Sequence, residues 1–405
     1  MNKGLMSVDE ALERLLAGAS AVTETESVPT LSATDRVLAV DQRSGMNVPP
    51  MDNSAMDGYA VRLADVGGPG TRLKIAQRIM AGSVGAALAS GAAARIFTGA
   101  PIPAGADAIV MQEHATLDGD SVVINAVPKP GAWVRKSGID IMSGDVILKA
   151  GIRLRPQDTG LAASVGIALL PVRRRVRLGL FFTGDELVMP GDPLPPGGIY
   201  NSNRFTLNGL AQLTGCEVHD YGSVPDSLDA TCAVLRQAAA ECDVIVTSGG
   251  VSVGDADFVK PAVEAEGELL LWRIAMKPGR PLAFGRVGKS AKSTAFIGLP
   301  GNPVASFVTF LWFVRPFVMR TQGMTEVTAH AIPMRADFDW LEADARREFL
   351  RARRNDKGGL DLYPSQDSSV LMSTAWSDGL IDNPPGCSIR RGDSVKFLPY
   401  AELFR

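Results

Sequence analysis

The sequence predicts an α/β protein of several domains: a central doubly wound domain, a β-rich module before it, and a small β-barrel or sandwich after it. Three observations predict this. Between residues 177 and 319, apolar runs ending in polar glycine loops alternate with stretches of helical spacing, the pattern of a mainly parallel sheet. Between about 50 and 150, glycine, alanine and proline dominate and the apolar runs are short. After about 328, short strands are separated by turn residues such as Asn355-Asp356-Lys357-Gly358-Gly359 and Pro384-Pro385-Gly386.

At 405 residues the chain exceeds one ordinary core. The expected division is 1–48 with 141–175, an inserted module at 49–140, the α/β domain at 176–325, and a C-terminal β domain at 326–405. Ser7-Val8-Asp9-Glu10 is a capping box leading into Leu12, Leu15 and Leu16, so a folded helix rather than a signal peptide is expected there. A strand at 28–31 and a short helical segment at 35–40 follow. In the inserted module, strands are expected at 108–111 and 122–124. A third at 146–148 precedes a connecting helix at 155–167.

The α/β segment opens with a strand at 178–182 ending in Thr183-Gly184-Asp185-Glu186. Helical spacing covers 205–213 and 228–240, and a second apolar strand at 243–246 ends in Thr247-Ser248-Gly249-Gly250. A helix at 257–265, strands at 269–274 and 295–297, and a long buried helix at 303–319 complete it. Ligands of such sheets bind beyond the carboxyl ends of the strands.

Composition excludes several classes of function. The formal charge of −3 attracts neither nucleic acid nor acidic membranes. The longest apolar run, 304–314, stops at Arg315-Pro316, short of the roughly 18 residues of a membrane span. Four cysteines without C-x-x-C spacing and three scattered histidines argue against zinc and against disulfides. The cysteines read as small core residues in a reducing cytoplasm. Chemistry is therefore expected from carboxylates, lysines, glycine loops and a hard metal ion.

The loop Pro49-Pro50-Met51-Asp52-Asn53-Ser54-Ala55-Met56-Asp57-Gly58-Tyr59-Ala60 fits neither helical nor strand periodicity, and it concentrates two carboxylates, an amide and a hydroxyl. It reads as part of a site. Ser248-Gly249-Gly250-Val251-Ser252 offers backbone N–H groups that can approach a phosphate. Asp257, at an expected helix start, reads equally as a cap or a metal ligand. Glu186 and Asp226 stand just past strand-like segments and can share a crevice with Asp257, which points to Mg²⁺. Lys277-Pro278-Gly279-Arg280-Pro281 sets two cations on a stiff turn suited to an oxyanion. Gly298-Leu299-Pro300-Gly301-Asn302-Pro303 alone is a rigid turn into a helix. The arginine-rich stretches at 173–177 and 346–354 lack interleaved aromatics and read as solvated strand faces. Arg351, beside Phe349, is the one considered for anion binding.

Taken together, the motifs resemble the molybdopterin molybdenumtransferase family (the MoeA family), to which the E domain of gephyrin is similar. The resemblance runs through Asp52-Asn53-Ser54-Ala55-Met56-Asp57-Gly58-Tyr59-Ala60, Thr98-Gly99-Ala100-Pro101, Gly138-Ile139-Asp140-Ile141 and Thr183-Gly184-Asp185-Glu186-Leu187. It continues through Asn201-Ser202-Asn203-Arg204, Ser248-Gly249-Gly250-Val251-Ser252, Lys277-Pro278-Gly279 and Gly298-Leu299-Pro300-Gly301-Asn302-Pro303. It implies an elongated homodimer whose α/β domain is of the type found in molybdopterin adenylyltransferases. It also implies insertion of molybdate into adenylylated molybdopterin with release of AMP, aided by a divalent cation.

By the same resemblance, Glu186, Asp226 and Asp257 are the acidic pocket residues, with Asp226 and Asp257 the metal ligands. Ser248, Gly249, Gly250, Ser252, Pro300 and Pro303 would shape the pterin phosphate site. Lys277, Arg351 and Ser368 would hold molybdate, while Asp57, Thr98, Arg135 and Asp140 would come from the partner subunit. Implied partners are the adenylyltransferase and acceptor molybdoenzymes, with no nucleic acid and no membrane. Three residues depart from the pattern: Ile139 in place of a frequent Glu, Arg280 in place of a frequent Lys, and Asp367 at a usual glycine. The alternatives are a molybdopterin adenylyltransferase and a non-catalytic, gephyrin-like scaffold.

Overall fold

The computed structural model describes residues 5–250, 258–288 and 293–404. Its centre is a six-stranded sheet. In chain order its elements are β1 (Arg177–Thr183), α1 (Ser202–Leu213), β2 (Glu217–Val224), α2 (Leu228–Glu241), β3 (Val244–Ser248) and α3 (Val259–Glu266). The antiparallel strands β4 (Gly267–Arg273) and β5 (Pro281–Val287) follow, then β6 (Thr294–Leu299) and a helix over Pro303–Thr321, α4. The strand order is β2-β1-β3-β6-β5-β4. The first four run parallel, and β5 and β4 close one edge antiparallel.

Both faces of this sheet are covered, which is why its central strands are apolar without alternation. Leu178, Leu180, Phe182, Val244, Val246 and Ile297 face one core, shared with α1 and α4. Phe181, Ile245 and Phe296 face the other, shared with α2 and α3. Strands β2 and β5 were not anticipated. The first carries His219, Asp220, Tyr221 and Gly222 at a half-exposed edge and so shows no apolar run, while the second has only a short one, Leu282-Ala283-Phe284, opened by Pro281 and broken at Gly285-Arg286.

Helix α4 is the long buried helix expected at 303–319, with two further residues at its end. It passes Arg315-Pro316 and ends at Thr321. Residues Phe310–Val314 take a wider π turn, where a helix can absorb the missing proline N–H. By length and composition it could cross a membrane, but 89% of it is buried inside the fold, as a core helix. Arg315 enters this interior with its guanidinium donating to the carbonyls of Val327 and Glu402, and burial lowers its pKa to about 10.

The first helix spans Val8–Ala17, with Ser7 Oγ accepting from Glu10 N. Val8, Ala11 and Leu15 pack into the core beneath the central sheet rather than with the rest of 1–48. Thr25–Pro29 pairs with Leu169–Arg173, and Gln42–Arg43 with Val146–Leu148, so two distant passes of chain form one unit around Leu38, Leu154 and Leu170. The helix expected at 35–40 is absent. Asp35 has a φ of 65°, and Val37 and Leu38 make bridges to Arg153 and Val172, which consume the backbone groups a helix would use. The connecting helix is Pro156–Ser164.

The inserted module is a second six-stranded sheet, with Gly58–Val61 between Ala92–Ile96 and Ala108–Met111. Its residues alternate between two cores. Tyr59, Val61, Ala93 and Val110 face one, and Ala60, Ala94, Ile96 and Ile109 the other. After residue 328 the strands Ile332–Ala336, Arg347–Arg354, Gly359–Leu362, Gly379–Asn383 and Ser394–Pro399 close into a barrel, because the second also pairs with the fourth. A short strand, Met276–Lys277, attaches the α/β segment to it through Arg347–Glu348.

Three cysteines are buried, but Cys387 is exposed, a correction to the expectation of core residues throughout. The arginine stretches also depart from the solvated reading. Arg174 pairs with Glu24 and Asp243, and Arg347 pairs with Asp9 and Asp382 while lying over Trp312 and Phe349.

Gly58 sits where a Cβ would meet the Val110 carbonyl oxygen at 2.0 Å. Gly58→Ala is therefore expected to destabilise the inserted module by about 1–3 kcal/mol. Urea unfolding should show it as a lowered midpoint, and an unchanged midpoint would show that the sheet gives way freely.

Candidate active site

The strand order reverses between β1 and β3: the chain goes from β1 outward to β2 and then returns to the other side at β3. A crevice opens at such a switch point, and here it is a cleft of about 1100 Å³. Thr183-Gly184 after β1, Ser248-Gly249-Gly250 after β3 and Pro300-Gly301-Asn302-Pro303 after β6 form its floor. The glycines there follow from geometry. Gly249 has a φ of +94°, and a Cβ on it would meet the Thr183 carbonyl oxygen at 2.8 Å. Gly250 has a φ of +67°, and its Cβ would meet Val259 at 2.4 Å. Without side chains, Gly249 and Gly250 line the cleft with backbone alone, the Gly249 N–H being bonded to the Leu299 carbonyl at 3.2 Å.

A polar cluster fastens this floor. Buried Ser248 Oγ donates to the Pro300 carbonyl at 3.0 Å and accepts from Asn203 Nδ2 at 2.9 Å. The same amide donates to the Gly301 carbonyl at 2.7 Å.

Glu186 and Asp226 both line the cleft. Asp226 and Asp185 exchange backbone-to-carboxylate hydrogen bonds at 3.2 Å each way, which ties the loop after β1 to that after β2. The Glu186 carboxylate folds over Gly184, with oxygens 2.7 and 2.9 Å from where a Cβ would stand. Among the described residues, no three His, Cys, Asp or Glu side chains are grouped to hold a metal by themselves. Asp257 and Ser252 lie outside the described residues.

The lining also carries cations. Lys277, Arg280 and Arg346 belong to it together with the turn Gln366-Asp367-Ser368-Ser369. Lys277 Nζ lies 3.1 Å from Glu348 and 3.4 Å from Asp344. Asp344 in turn receives the Arg346 guanidinium through both oxygens, at 2.9 and 2.8 Å, and this holds its carboxyl well below the usual carboxylate range. Ser368 joins the barrel to α4: its carbonyl accepts from Val304 N and its Oγ accepts from Asn302 Nδ2, both at 3.0 Å. Asp367 lines the cleft, yet its Oδ1 accepts from the N and Oγ of Ser369, so the departure from glycine serves the turn's own backbone.

Arg351 is not part of the lining. It is 1% exposed, and its guanidinium donates to Ser373 Oγ and to the carbonyls of Phe349 and Asp367. Burial lowers its pKa to about 10. It braces the 366–369 turn from behind, and of the basic stretch at 346–354 it is Arg346, read from sequence as a solvated residue, that lines the cleft. The Asp344 two positions before it was the one local signal, since a bidentate carboxylate is what fixes such a side chain.

Asp57, Thr98, Arg135 and Asp140 do not line this cleft either. Asp57 and Thr98 meet in the inserted module, where the Thr98 N and Oγ1 both donate to Asp57 Oδ1 at 2.8 Å and lower its pKa. Asp52, in the same loop, accepts from Lys136 Nζ at 2.7 Å and Ser137 N at 2.8 Å. Arg135 pairs through its backbone with Asn53, and Asp140 N donates to the Val48 carbonyl. The loop is thus tied down at both ends, with the Arg135 and Asp140 side chains exposed.

Comparison with known proteins gives this arrangement its context. Three family models match in succession: MoeA N-terminal region (domain I and II) over residues 6–166, a probable molybdopterin binding domain over 179–320, and MoeA C-terminal region (domain IV) over 333–400. A molybdopterin molybdenumtransferase of Haemophilus influenzae is 42% identical over 324 residues, covering 80% of this chain and 79% of the relative. The chain belongs to the molybdopterin molybdenumtransferase family. Its relative of the same name in Staphylococcus aureus is 32% identical over 408 residues, 96% of this chain and 94% of that one. The crystal structure of the molybdopterin biosynthesis moeA protein from Pyrococcus horikoshii OT3 superposes with a TM-score of 0.86 at 29% identity, covering 98% of this chain and 100% of the other. The molybdopterin-binding match contains the whole cleft floor, and the C-terminal match contains Arg346, Glu348 and Ser368.

The lowered pKa of Asp344 has a signed consequence. A carboxylate held low by a partner contributes stability that is full above its unfolded value and lost as pH falls through its folded value. Wild type should therefore exceed Asp344→Asn by a constant margin from pH 6 to 8, and the margin should shrink below about pH 4. Unfolding midpoints measured across that range test this, and a margin that grows towards acid contradicts it.

Proposed function

We propose that the chain inserts molybdate into adenylylated molybdopterin and releases AMP, as the name of its relatives implies for the metal transfer. The observation that carries this reading is one cleft lined together by a glycine turn, by the carboxylates Glu186 and Asp226, and by the cations Lys277, Arg280 and Arg346. The glycine turn Gly249-Gly250 would seat the phosphate, since only glycine lets backbone approach so closely. Lys277, Arg280 and Arg346 would neutralise the molybdate dianion without any histidine. Ser368 would orient it from the helix-capping turn.

A hard cation would fit beside the lining carboxylates. Glu186 and Asp226 offer oxygen ligands, and Gly184 leaves room for the Glu186 carboxylate. Mg²⁺ is commonly held by one or two carboxylates plus substrate phosphates, so a three-carboxylate cage is not required. We assign Asp226, with Asp257, as its ligands. Bound there, it would polarise the phosphoanhydride and offset the charge on the departing AMP. Glu186 would keep the neighbouring phosphate in line by repulsion and by excluding a second anion.

Asp57, Thr98, Arg135 and Asp140 stand outside their own chain's cleft, so in this reading the family's shared site is completed by a second copy. The rigid Asp57–Thr98 pair suits that task, because a carboxylate already held by two donors needs no reordering on docking. The adenylyltransferase reading is not favoured, since both relatives named above are molybdenumtransferases.

Purified protein given adenylylated molybdopterin, Mg²⁺ and molybdate should release AMP in a molybdate-dependent manner; no release would sink the proposal. Asp226→Asn should lower the rate about a hundredfold, the scale seen when metal-site partners are lost. Mixing Asp57→Ala with Asp226→Asn subunits should recover part of the activity that each lacks alone. Failure to recover any, with mixed dimers demonstrated, would place both residues in one subunit's site.

A further inference from the structure

Glu348 is a carboxylate buried to 1% side-chain exposure, on barrel strand Arg347–Arg354, that takes no part in the reaction outlined above. A buried carboxylate is costly unless every lone pair is used. Three donors use them here. Its Oε2 accepts from Trp340 Nε1 at 3.0 Å and from Asn383 Nδ2 at 3.2 Å, and its Oε1 accepts from Lys277 Nζ at 3.1 Å. Trp340 and Asn383 belong to the barrel region, whereas Lys277 arrives from the α/β segment and lines the cleft. The backbones meet as well, since Lys277 pairs in parallel register with Glu348 itself.

A lysine is a point charge on a flexible four-carbon stem, and left alone it spreads over many rotamers. Asp344 cannot fix it unaided. That carboxylate is already committed to the Arg346 guanidinium through both oxygens, to Arg346 N besides, and lies farther from Nζ at 3.4 Å. The ring of Trp340, with its centroid 5.8 Å from Nζ, flanks the ammonium and is itself held by Glu348. Strand pairing, ring and carboxylate therefore converge on one side chain from one rigid barrel strand and its neighbours.

We propose that Glu348 is a positioning residue, which holds the Lys277 ammonium at the cleft wall so that an incoming oxyanion meets a charge already aimed. This rests on reading the cleft as the molybdate site. It assigns the C-terminal barrel a task in anion affinity that its own cleft-lining residues do not account for. The Glu348–Lys277 pair makes the aim of a residue in one part of the chain depend on the packing of another.

Glu348→Gln is the informative variant. It keeps shape and one oxygen for Trp340 and Asn383, and removes only the negative oxygen facing Lys277. Initial rates against molybdate and against adenylylated molybdopterin are to be compared for wild type, Glu348→Gln, Lys277→Met and the double variant. The expected result is a molybdate KM raised about tenfold or more, as for a lost hydrogen bond to a charged group. The KM for the pterin should stay near wild type, and Glu348→Gln should add no further loss to Lys277→Met. Glu348→Asp, which keeps the charge, should restore part of the affinity. An unchanged molybdate KM, or equal losses in both backgrounds, would overturn the proposal.

If Glu348→Gln melts early, Glu348→Asp is read in its place, and an unchanged molybdate KM there with the charge retracted counts against positioning. If wild type shows no molybdate-dependent turnover, the functional reading fails. Positioning is then judged without substrate, by mass spectrometry of Lys277 acylation. Release of the ammonium in Glu348→Gln should raise that rate several-fold, and equal rates would overturn it.

Discussion

The approach of Gly249 to the Thr183 carbonyl, at the ends of two adjacent parallel strands, is the constraint on which the rest of the site depends. With β1 and β3 in register through Phe182 and Ser248, the turns beyond them have no space for a side chain at Gly249 or Gly250. That absence leaves the strand end lined by backbone alone, with the Gly249 N–H bonded to the Leu299 carbonyl. The Ser248–Asn203–Pro300 cluster then holds the third turn against the first two. The carboxylates and cations of the cleft lining are arranged around that floor.

The charges reach the cleft by different routes. Glu186 and Asp226 follow directly from the strands that precede them. The cations depend on the barrel: Lys277 leaves the α/β segment only to pair with Arg347–Glu348, and Arg346 is held by Asp344. Ser368 gives its carbonyl to the first turn of α4, so one exposed turn of the barrel also satisfies an orphan helix N–H. The barrel is joined to the α/β core by these polar contacts and by Phe349, Leu380 and Leu398, which share the core beneath the sheet.

The inserted module is organised independently. Its sheet has its own two cores, and the loop at 49–60 is pinned by Asp52 to Lys136 and Ser137 and by Asp57 to Thr98. The loop singled out for its density of polar groups thus uses its two carboxylates on other segments of its own module. Its rigidity is local, and Asp57 and Thr98 stand outside the cleft lining of their own chain.

Much of this was legible in residue order. Alternating apolar strands and helical stretches specify a doubly wound sheet because both of its faces are buried, and glycines after a strand mark where backbone must approach something. The motifs also identified the family and the carboxylates that line the cleft. The sequence was silent where pairing is long-range. The edge strand Glu217–Val224 is half exposed and so carries no apolar run, and the helix expected at 35–40 gave way to bridges with Arg153 and Val172. Above all, local spacing could not tell Arg351 from Arg346. Both lie in one basic stretch, and barrel closure alone turns the first inward against Ser373 and the Asp367 carbonyl while the second meets Asp344 at the cleft wall. Strand ends and turn chemistry are set by neighbours in the chain; which cation faces an anion is set by how a barrel, 70 residues further on from Lys277, packs back against it.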